Sequence, residues 1–301
     1  MSVSSLVKKP SLILILSIMS VSFAAIFIVT AESPPLTIAF YRLLFTVFFI
    51  ILFVLVRRDY LHELSMLTRS QILVMIGIGV LLSAHFALWI TSLTKTSVAS
   101  SVILVTAHPF IVTPLAYYFF HEKFHTVNIL GICLSLCGVG ILVFGNYNLS
   151  SMTLEGNVMA LLGGMAAGGY ILGGRKMRSS VSTPCYALVV YSVACVILFI
   201  LCLVLKSPVH ASRMQDYFIF FLLAGVSGLL GHTLYNWSLK YIPASIASVA
   251  LLGEPLGSSL LAMIVPWINQ TPSLYTLFGG IFIFLGIYYT SQKKDVVTKI
   301  R

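Results

Sequence analysis

Long apolar runs separated by short polar segments make up nearly the whole chain. Runs of about 17 to 25 apolar residues are long enough to cross the hydrocarbon core of a bilayer as helices. Ten such runs lie at about 11–31, 36–56, 70–92, 97–119, 125–145, 155–174, 184–206, 216–240, 243–266 and 272–291. The segments between them are short and contain turn residues, as in AESPP and NQTPS. The pattern predicts an all-α integral membrane protein with ten transmembrane helices.

The composition agrees with a membrane location. Of the 301 residues, 59% are hydrophobic and 9% are charged, whereas about 25% of the residues in soluble domains are charged. The first apolar run follows Lys8 and Lys9, as in a signal peptide, but it is longer than the apolar region of a typical signal peptide. We therefore expect it to be retained as the first transmembrane helix.

The distribution of lysine and arginine predicts the orientation, because cytoplasmic loops carry an excess of both residues. With a cytoplasmic N-terminus and ten helices, 14 of the 18 lysines and arginines fall on the cytoplasmic side. Lys95, Lys206 and Arg213 fall outside, and Arg42 lies within a span. We therefore expect a multi-pass protein of the cytoplasmic (inner) membrane, with both termini in the cytoplasm and a basic cytoplasmic tail at 292–301.

The charge and the cysteines do not indicate a nucleic-acid, metal or cofactor site. The net charge of +10 is dispersed through the predicted cytoplasmic loops, where lysine and arginine face anionic lipid headgroups. All five cysteines lie in predicted spans and form no CxxC pair, which favours packing roles. The sequence therefore predicts no nucleic-acid partner, no metal and no cofactor.

An internal repeat divides the chain into two halves. When the sequence is shifted against itself by 146 residues, the segment 87–110 aligns with 233–256. The predicted repeats are residues 11–145 and 155–291, each with five spans. Because five is odd, the second half must enter the membrane from the opposite side, so we predict two inverted five-helix repeats. Inverted repeats are common in secondary transporters, whose substrate site lies near the bilayer midplane between the repeats.

Four stretches resemble a known family. They are PPLTIAFYRLLF (34–45), HFALWITSLTKTSVASSVIL (85–104), GICLSLCGVGIL (131–142) and GHTLYNWSLKYIPASIASVALLGEPLG (231–257). The chain resembles the drug/metabolite transporter superfamily of the EamA-domain type. The resemblance implies two EamA-like halves and transport of amino acids, nucleotide sugars, cationic drugs or other small metabolites, without choosing among them. The family's acidic turn before the last helix of each half is matched by Glu122 in the first half, whereas the second half has WINQTPS.

Glu254 and His108 are ionisable side chains that we expect near the bilayer midplane. Glu254 precedes Pro255, which removes a helix hydrogen bond and should leave the carbonyl of Leu251 without its usual donor. His108 also precedes a proline and aligns with Glu254 in the repeat. Matched helix breaks line substrate sites in transporters, and a carboxylate there suits cation or proton binding. The alternative is a structural Glu254 that bonds to helix ends or pairs with Arg42.

Histidine, tryptophan and asparagine recur at helical spacing in the third and eighth spans. His232 and Asn236 are four residues apart, with Trp237 next to Asn236, and His85 and Trp89 have the same spacing. As a symmetric set, we predict that they line a cavity for an amino-acid-like or aromatic solute. The alternative for each Trp is an interfacial anchor or packing role, and for each His a hydrogen-bonded core position.

Two further spans each carry one candidate residue. The sixth contains GGMAAGGYILGG, which lacks the Gly-Lys-Ser/Thr ending of a phosphate-binding loop and favours close helix packing. Tyr170 is the large polar side chain of this segment, and we predict that it reaches the cavity. In the second span, Arg42 either extends to the headgroups or Glu32, or contacts an anion or carboxylate of the solute.

HEKFH at 121–125 has the spacing by which a helix presents two zinc ligands and a catalytic carboxylate. His121, Glu122 and His125 therefore make an intramembrane zinc protease an alternative. The topology instead places this segment in a cytoplasmic turn, so that the two histidines flank the turn. We expect Glu122 at the N-terminus of the helix that follows, where a carboxylate is favoured.

The preferred function is a secondary transporter, not an enzyme. We expect it to move a small organic solute, such as an amino acid or a related metabolite, by efflux or exchange through alternating access. The expected partners are the solute and the lipid bilayer, with protons coupled through Glu254 as an open alternative. A monomer and a homodimer are both compatible with the sequence. A zinc protease and a non-transporting membrane scaffold are the alternative functions.

Overall fold

Helices make up all the regular secondary structure that the computed structural model describes, which covers residues 9–96, 98–122, 124–145, 154–265 and 274–292. In chain order, the first eight helices are α1 (Pro10–Thr30), α2 (Pro35–Val56), α3 (Arg58–Ser65), α4 (Arg69–Ser92), α5 (Val98–Val105), α6 (Pro109–Phe120), α7 (Thr126–Gly145) and α8 (Leu154–Met177). They are followed by α9 (Thr183–Val204), α10 (Met214–Leu222), a π-helical segment (Leu223–Thr233), α11 (Leu234–Ser238), α12 (Ala244–Ala250), α13 (Gly253–Ile264) and α14 (Leu274–Ser291). Apart from Gln292, the predicted basic tail lies outside these ranges.

Among the described residues, eight helical segments are long and apolar enough to cross a membrane. They are Pro10–Thr30, Pro35–Val56, Arg69–Ser92, Ser101–Phe120, Leu154–Met177, Thr183–Val204, Met214–Ser238 and Ala244–Leu261. Two further apolar helices, Thr126–Ile141 and Leu277–Ser291, are shorter. The protein is therefore a multi-pass membrane protein, and its apolar helices lie where the sequence pattern predicts them.

The fourth and ninth predicted spans are each broken near a proline. In the fourth span, α5 ends at Val105 and α6 begins at Pro109, and in the ninth, α12 ends at Ala250 and α13 begins at Gly253. As expected, the carbonyl of Leu251 lacks its usual donor four residues later, because Pro255 has no N–H; it accepts the backbone N–H of Glu254 instead, at 2.9 Å. The helix has already ended at this point, so a tighter turn supplies a closer donor.

The eighth predicted span is not a uniform α-helix. Its central part, Leu223–Thr233, is π-helical, and the hydroxyl of Thr233 donates to the carbonyl of Gly228, five residues earlier, at 3.0 Å. A π-helix places residues at different angles from an α-helix. Side chains on either side of Thr233 therefore do not keep the α-helical spacing from which a shared face was predicted.

Glycines allow helices of the two halves to approach closely. A Cβ atom on Gly138 of α7 would lie 2.6 Å from the carbonyl oxygen of Gly279 in α14. A Cβ atom on Gly164 of α8 would lie 2.6 Å from the carbonyl oxygen of Val105, at the end of α5. The prediction of close helix packing by the small residues of α8 is confirmed at this position.

The helices of the two halves interleave around the breaks. α8 packs against α4 and α5, and α1 packs against the π-helical segment and α13. α9 packs against α2 and α4, and α7 packs along α14. This arrangement brings α1, α4, α8, the π-helical segment and both breaks to one central region.

Candidate functional site

A small cavity lies in this central region, between the two helix breaks. It is lined by six of the predicted site residues, namely His85, Trp89, His108, Tyr170, His232 and Glu254. The other lining residues are Val21, Val105, Thr106, Ala167, Ile171, Tyr235 and Leu251. Its volume is about 40 Å³, and one water molecule needs roughly 10–15 Å³ by this measure. The cavity therefore holds a few water molecules but not an organic solute.

α4 presents His85 and Trp89 to the cavity on one helix face. The two rings stack with their planes 9° apart and their centroids 5.7 Å apart. Nδ1 of His85 donates a hydrogen bond to the carbonyl of Gly163 in α8, at 3.0 Å, which fixes the orientation of the ring. The indole Nε1 of Trp89 is buried and has no hydrogen-bond partner among the described residues, so the site contains an unused donor.

The two helix breaks meet through His108 and Ser248. Nδ1 of His108 and the hydroxyl of Ser248 share a hydrogen bond of 2.8 Å. Glu254, which aligns with His108 in the repeat, lies in the first turn of α13 and is 8% exposed. Among the described residues, no ion pair within 4 Å involves its carboxylate, so Glu254 and Arg42 are not in direct contact, although their charges interact electrostatically.

Asn236 and Trp237 do not line the cavity, contrary to the prediction. The side-chain amide of Asn236 donates to the hydroxyl of Tyr170 and, at 3.1 Å, to that of Tyr191. The ring of Trp237 instead packs against Tyr241, with centroids 4.6 Å apart. The prediction fails because the π-helical segment ends just before these residues and changes their direction. Asn236 acts one layer away from the cavity by positioning Tyr170.

Arg42 is fully buried, so the expectation that it extends to the headgroups or to Glu32 is wrong. Glu32 instead pairs at 2.8 Å with Arg213, which lies in the connection between α9 and α10. The guanidinium of Arg42 lies 4.2 Å from the ring centroid of Phe86, because this face of α2 points into the bundle. In the part of the chain that the structure describes, both terminal nitrogens of Arg42 lack a hydrogen-bond partner.

His121, Glu122, Phe124 and His125 lie between α6 and α7 and are not helical. His121 has a left-handed backbone, with φ of 52°. The carboxylate of Glu122 is 1% exposed and accepts hydrogen bonds from the N–H groups of Ala244 and Ser245, at 2.8 and 3.2 Å. The hydroxyl of Ser245 also donates to it, at 2.5 Å.

Glu122 thus stabilises the start of α12, in the other half of the chain. The prediction that it stabilises the start of the helix that follows it is wrong. It is also 3.8 Å from Nε of Arg175. Its carboxylate is fully engaged by these donors. No group of three potential metal ligands occurs in the part of the chain that the structure describes. Lys123 lies outside that part.

Sequence reasoning missed several residues around the cavity. Tyr235 and Thr106 line it, and the hydroxyl of Tyr235 is buried without a partner. Behind the cavity wall, Phe86 contacts the guanidinium of Arg42, and Ser248 shares a hydrogen bond with His108. Tyr235 follows His232 by three residues, which is a helical spacing that could have indicated it. The others have no comparable signal in the sequence.

Comparisons with known proteins agree with this fold. The EamA-like transporter family matches residues 9–144 and 154–292. An uncharacterized transporter of Clostridium kluyveri is 23% identical over 211 residues, covering 67% of this chain and 67% of the relative. The uncharacterized transporter YdfC of Bacillus subtilis is 25% identical over 273 residues, covering 88% of this chain and 85% of the relative.

A solved crystal structure has a similar fold, with a TM-score of 0.75 and 17% sequence identity. The match covers 94% of this chain and 96% of that one. At this identity the similarity concerns the fold alone. The family match, by contrast, extends over nearly the whole chain, and this protein belongs to the EamA-like transporter family.

Proposed function

We propose that the protein is a secondary transporter with ten transmembrane helices in two inverted repeats, which moves a small organic solute by alternating access. The observation that carries the proposal is the central cavity. It combines aromatic walls with buried polar atoms that have no partner, in Trp89 and Tyr235. Buried polar groups without partners are costly, and a bound solute would satisfy them.

Symmetric helix packing supports the two-repeat architecture. If the five spans of one half are matched in order to those of the other, α4 on α8 corresponds to the π-helical segment on α1, and both contacts are present. The broken fourth span packs on α8 as the broken ninth span packs on α1. The pairs α2 with α9 and α7 with α14 map onto themselves and are also present.

Contacts at the ends of α2 and α9 support the inverted relation of the halves. Thr37, at the start of α2, donates to the carbonyl of Pro208, which follows α9, at 2.5 Å. Glu63, which follows α2, accepts the N–H of Ser182, at the start of α9, at 2.6 Å. The two helices are therefore antiparallel, as corresponding members of inverted repeats must be.

The small cavity and the contacts at both ends of the bundle favour a closed state between two open ones. At the expected cytoplasmic end, Glu122 joins the first half to the start of α12. At the opposite end, Ser33 donates to Asp216 at 2.6 Å and accepts the N–H of Ser212 at 2.9 Å. Because the cavity is too small for an organic solute, transport requires these end contacts to open in turn.

The location and direction of transport complete the proposal. The excess of lysine and arginine on one side supports a cytoplasmic membrane location with both termini inside. Efflux or exchange of an amino acid or a related metabolite fits a site that combines aromatic rings, histidines and one carboxylate. The oligomeric state stays open between monomer and homodimer.

We propose proton coupling for Glu254, because it is a deeply placed carboxylate that lines the cavity and has no ion pair within 4 Å among the described residues. Glu254→Gln keeps the shape of the side chain but cannot change charge. We expect solute uptake by this variant to lose its dependence on an imposed pH gradient in proteoliposomes. Unchanged uptake with unchanged pH dependence would exclude the coupling role.

Transport can be tested directly with a mixture of solutes. Proteoliposomes with the wild-type protein are incubated with an isotopically labelled extract of small metabolites, and the labelled solutes inside are identified by mass spectrometry. The control is Ala167→Leu, which adds side-chain volume at the cavity wall. We expect at least one solute to accumulate with the wild-type protein and not with the control. Equal contents for wild type, control and protein-free liposomes would refute the transporter proposal.

A further inference from the structure

We infer that the transported solute carries a carboxylate group and that Arg42 binds it, an inference that rests on the proposed transport function. Arg42 lies in α2 and is fully buried within the bundle. The inference follows from which hydrogen-bonding groups at the site lack a partner.

The unused groups around the cavity are mainly donors. Among the described residues, the buried atoms without partners here are Nε1 of Trp89, the hydroxyl of Tyr235, both terminal nitrogens of Arg42 and, one layer away, the acceptor Oδ1 of Asn236. An indole N–H and a guanidinium can only donate, and a hydroxyl can donate as well as accept. The ligand that satisfies them must therefore present acceptors, as a carboxylate does.

Arg42 lies immediately behind the cavity wall. Its guanidinium covers the ring of Phe86 at 4.2 Å. That ring is 4.9 Å from the ring of His85 and 5.4 Å from that of His232, measured between centroids. Both histidines line the cavity, so opening of the wall at Phe86 brings a solute to the guanidinium.

The contact with Phe86 does not account for the buried charge. A cation over an aromatic ring interacts through the face of the guanidinium, whereas its N–H groups point outward in the plane. Among the described residues, both terminal nitrogens lack an acceptor and Arg42 has no ion pair within 4 Å, so that only the more distant charge of Glu254 acts on it. A charge buried in this way, within a membrane-spanning helix, indicates a binding role.

A carboxylate fits better than a phosphate. The two free terminal nitrogens form a planar fork that matches the two oxygens of a carboxylate. A phosphate monoester would bring nearly two negative charges to one guanidinium, with Glu254 also lining the cavity. With Glu254 already acting on Arg42, one added negative charge is less unfavourable than two, which favours a single carboxylate.

The test compares acids with their uncharged amides. Thermal shifts are measured on the purified protein with acetate, benzoate, 3-phenylpropanoate and L-phenylalanine, each beside its primary amide, and with phenyl phosphate. A ligand that binds the folded protein raises the Tm by mass action. We expect at least one acid to raise the Tm of the wild-type protein more than its amide does, and more than phenyl phosphate does.

Arg42→Met and Arg42→Lys link this preference to the side chain. We expect Arg42→Met to weaken acid binding by about tenfold or more, the effect of losing a charged hydrogen-bond donor. Arg42→Lys keeps the charge without the planar fork, so it should retain the preference for the acid with weaker binding. Ligand-free Arg42→Met should not have a lower Tm than the wild-type protein, because an unpaired buried charge has been removed.

Three results would overturn the inference. They are a panel in which no acid exceeds its amide, a preference for phenyl phosphate, and an acid preference that persists in Arg42→Met. A lower Tm of ligand-free Arg42→Met together with unchanged acid binding would show a structural role. If amides or amines are transported in a manner that Ala167→Leu blocks, the transport proposal stands and the carboxylate assignment fails.

Discussion

Replacing Glu122 with glutamine should loosen the start of α12. In the wild-type protein, Oε1 accepts the N–H of Ala244, and Oε2 accepts both the N–H and the hydroxyl of Ser245. Glutamine retains one acceptor oxygen but replaces the other with an amide that donates. The two hydrogen bonds of Ser245 therefore lose their acceptor, while the pair with Arg175 loses its negative charge.

The size of the effect follows from these contacts. Hydrogen bonds to charged groups contribute about 1.5–3 kcal/mol each, so allowing for partial replacement by water we expect a loss of about 2 kcal/mol. Since 1.4 kcal/mol is a factor of ten, local opening should become about thirtyfold more frequent. Hydrogen–deuterium exchange of peptides that cover residues 239–250, measured by mass spectrometry on the full-length protein, reports this opening directly.

Glu155→Gln is the matched control, because it makes the same chemical change in an exposed ion pair. Glu155 pairs with Lys95 at 2.8 Å, and its side chain is 62% exposed. Exposed pairs contribute only about 0–1 kcal/mol, so exchange at 239–250 should match that of the wild-type protein. If Glu122→Gln exchanges at the wild-type rate in this segment, Glu122 does not hold the two halves together.

Two further predictions concern packing and the cavity wall. Gly138→Leu should lower the Tm, because the new side chain meets the backbone of Gly279 and overpacking costs about 1–3 kcal/mol. Gly140→Leu in the same helix should leave the Tm unchanged, since no atom of the described residues lies within 4 Å of the added Cβ. Equal Tm values for the two variants would contradict the packing of α7 against α14. Trp89→Ala should raise the KM for uptake about tenfold by removing a cavity donor, whereas Trp237→Ala should leave the KM unchanged. If Trp237→Ala raises the KM and Trp89→Ala does not, the solute binds elsewhere.

Hydropathy and proline positions were sufficient to locate the long apolar helices and the two breaks, but not α3 or the π-helical segment. Length and apolar composition alone identify a membrane helix, because each helix satisfies its own backbone hydrogen bonds. The prolines after His108 and Glu254 mark the two breaks for the same local reason. Six of the candidate residues line the cavity because polar groups deep in a span must face the protein interior.

The remaining features depend on tertiary structure. The direction of Asn236 and Trp237 is set by a π-helical segment that no spacing rule in the sequence anticipates. The partner of Glu122 lies 122 residues away, at the start of α12, and local sequence indicated only the nearer helix. The interior position of Arg42 depends on which face of α2 meets α4, and an apolar helix with residues of similar character on all sides does not specify this.

The central claim is that one cavity opens alternately to the two sides of the membrane. Thr106 lines the cavity at the break between α5 and α6 and is close to cysteine in size. A Thr106→Cys variant, with the five native cysteines replaced, can be exposed to a membrane-impermeant thiol reagent from either side. We predict labelling from both sides in turn, with less labelling when a transported solute is present. Labelling from one side only, or from neither, would contradict alternating access through this cavity.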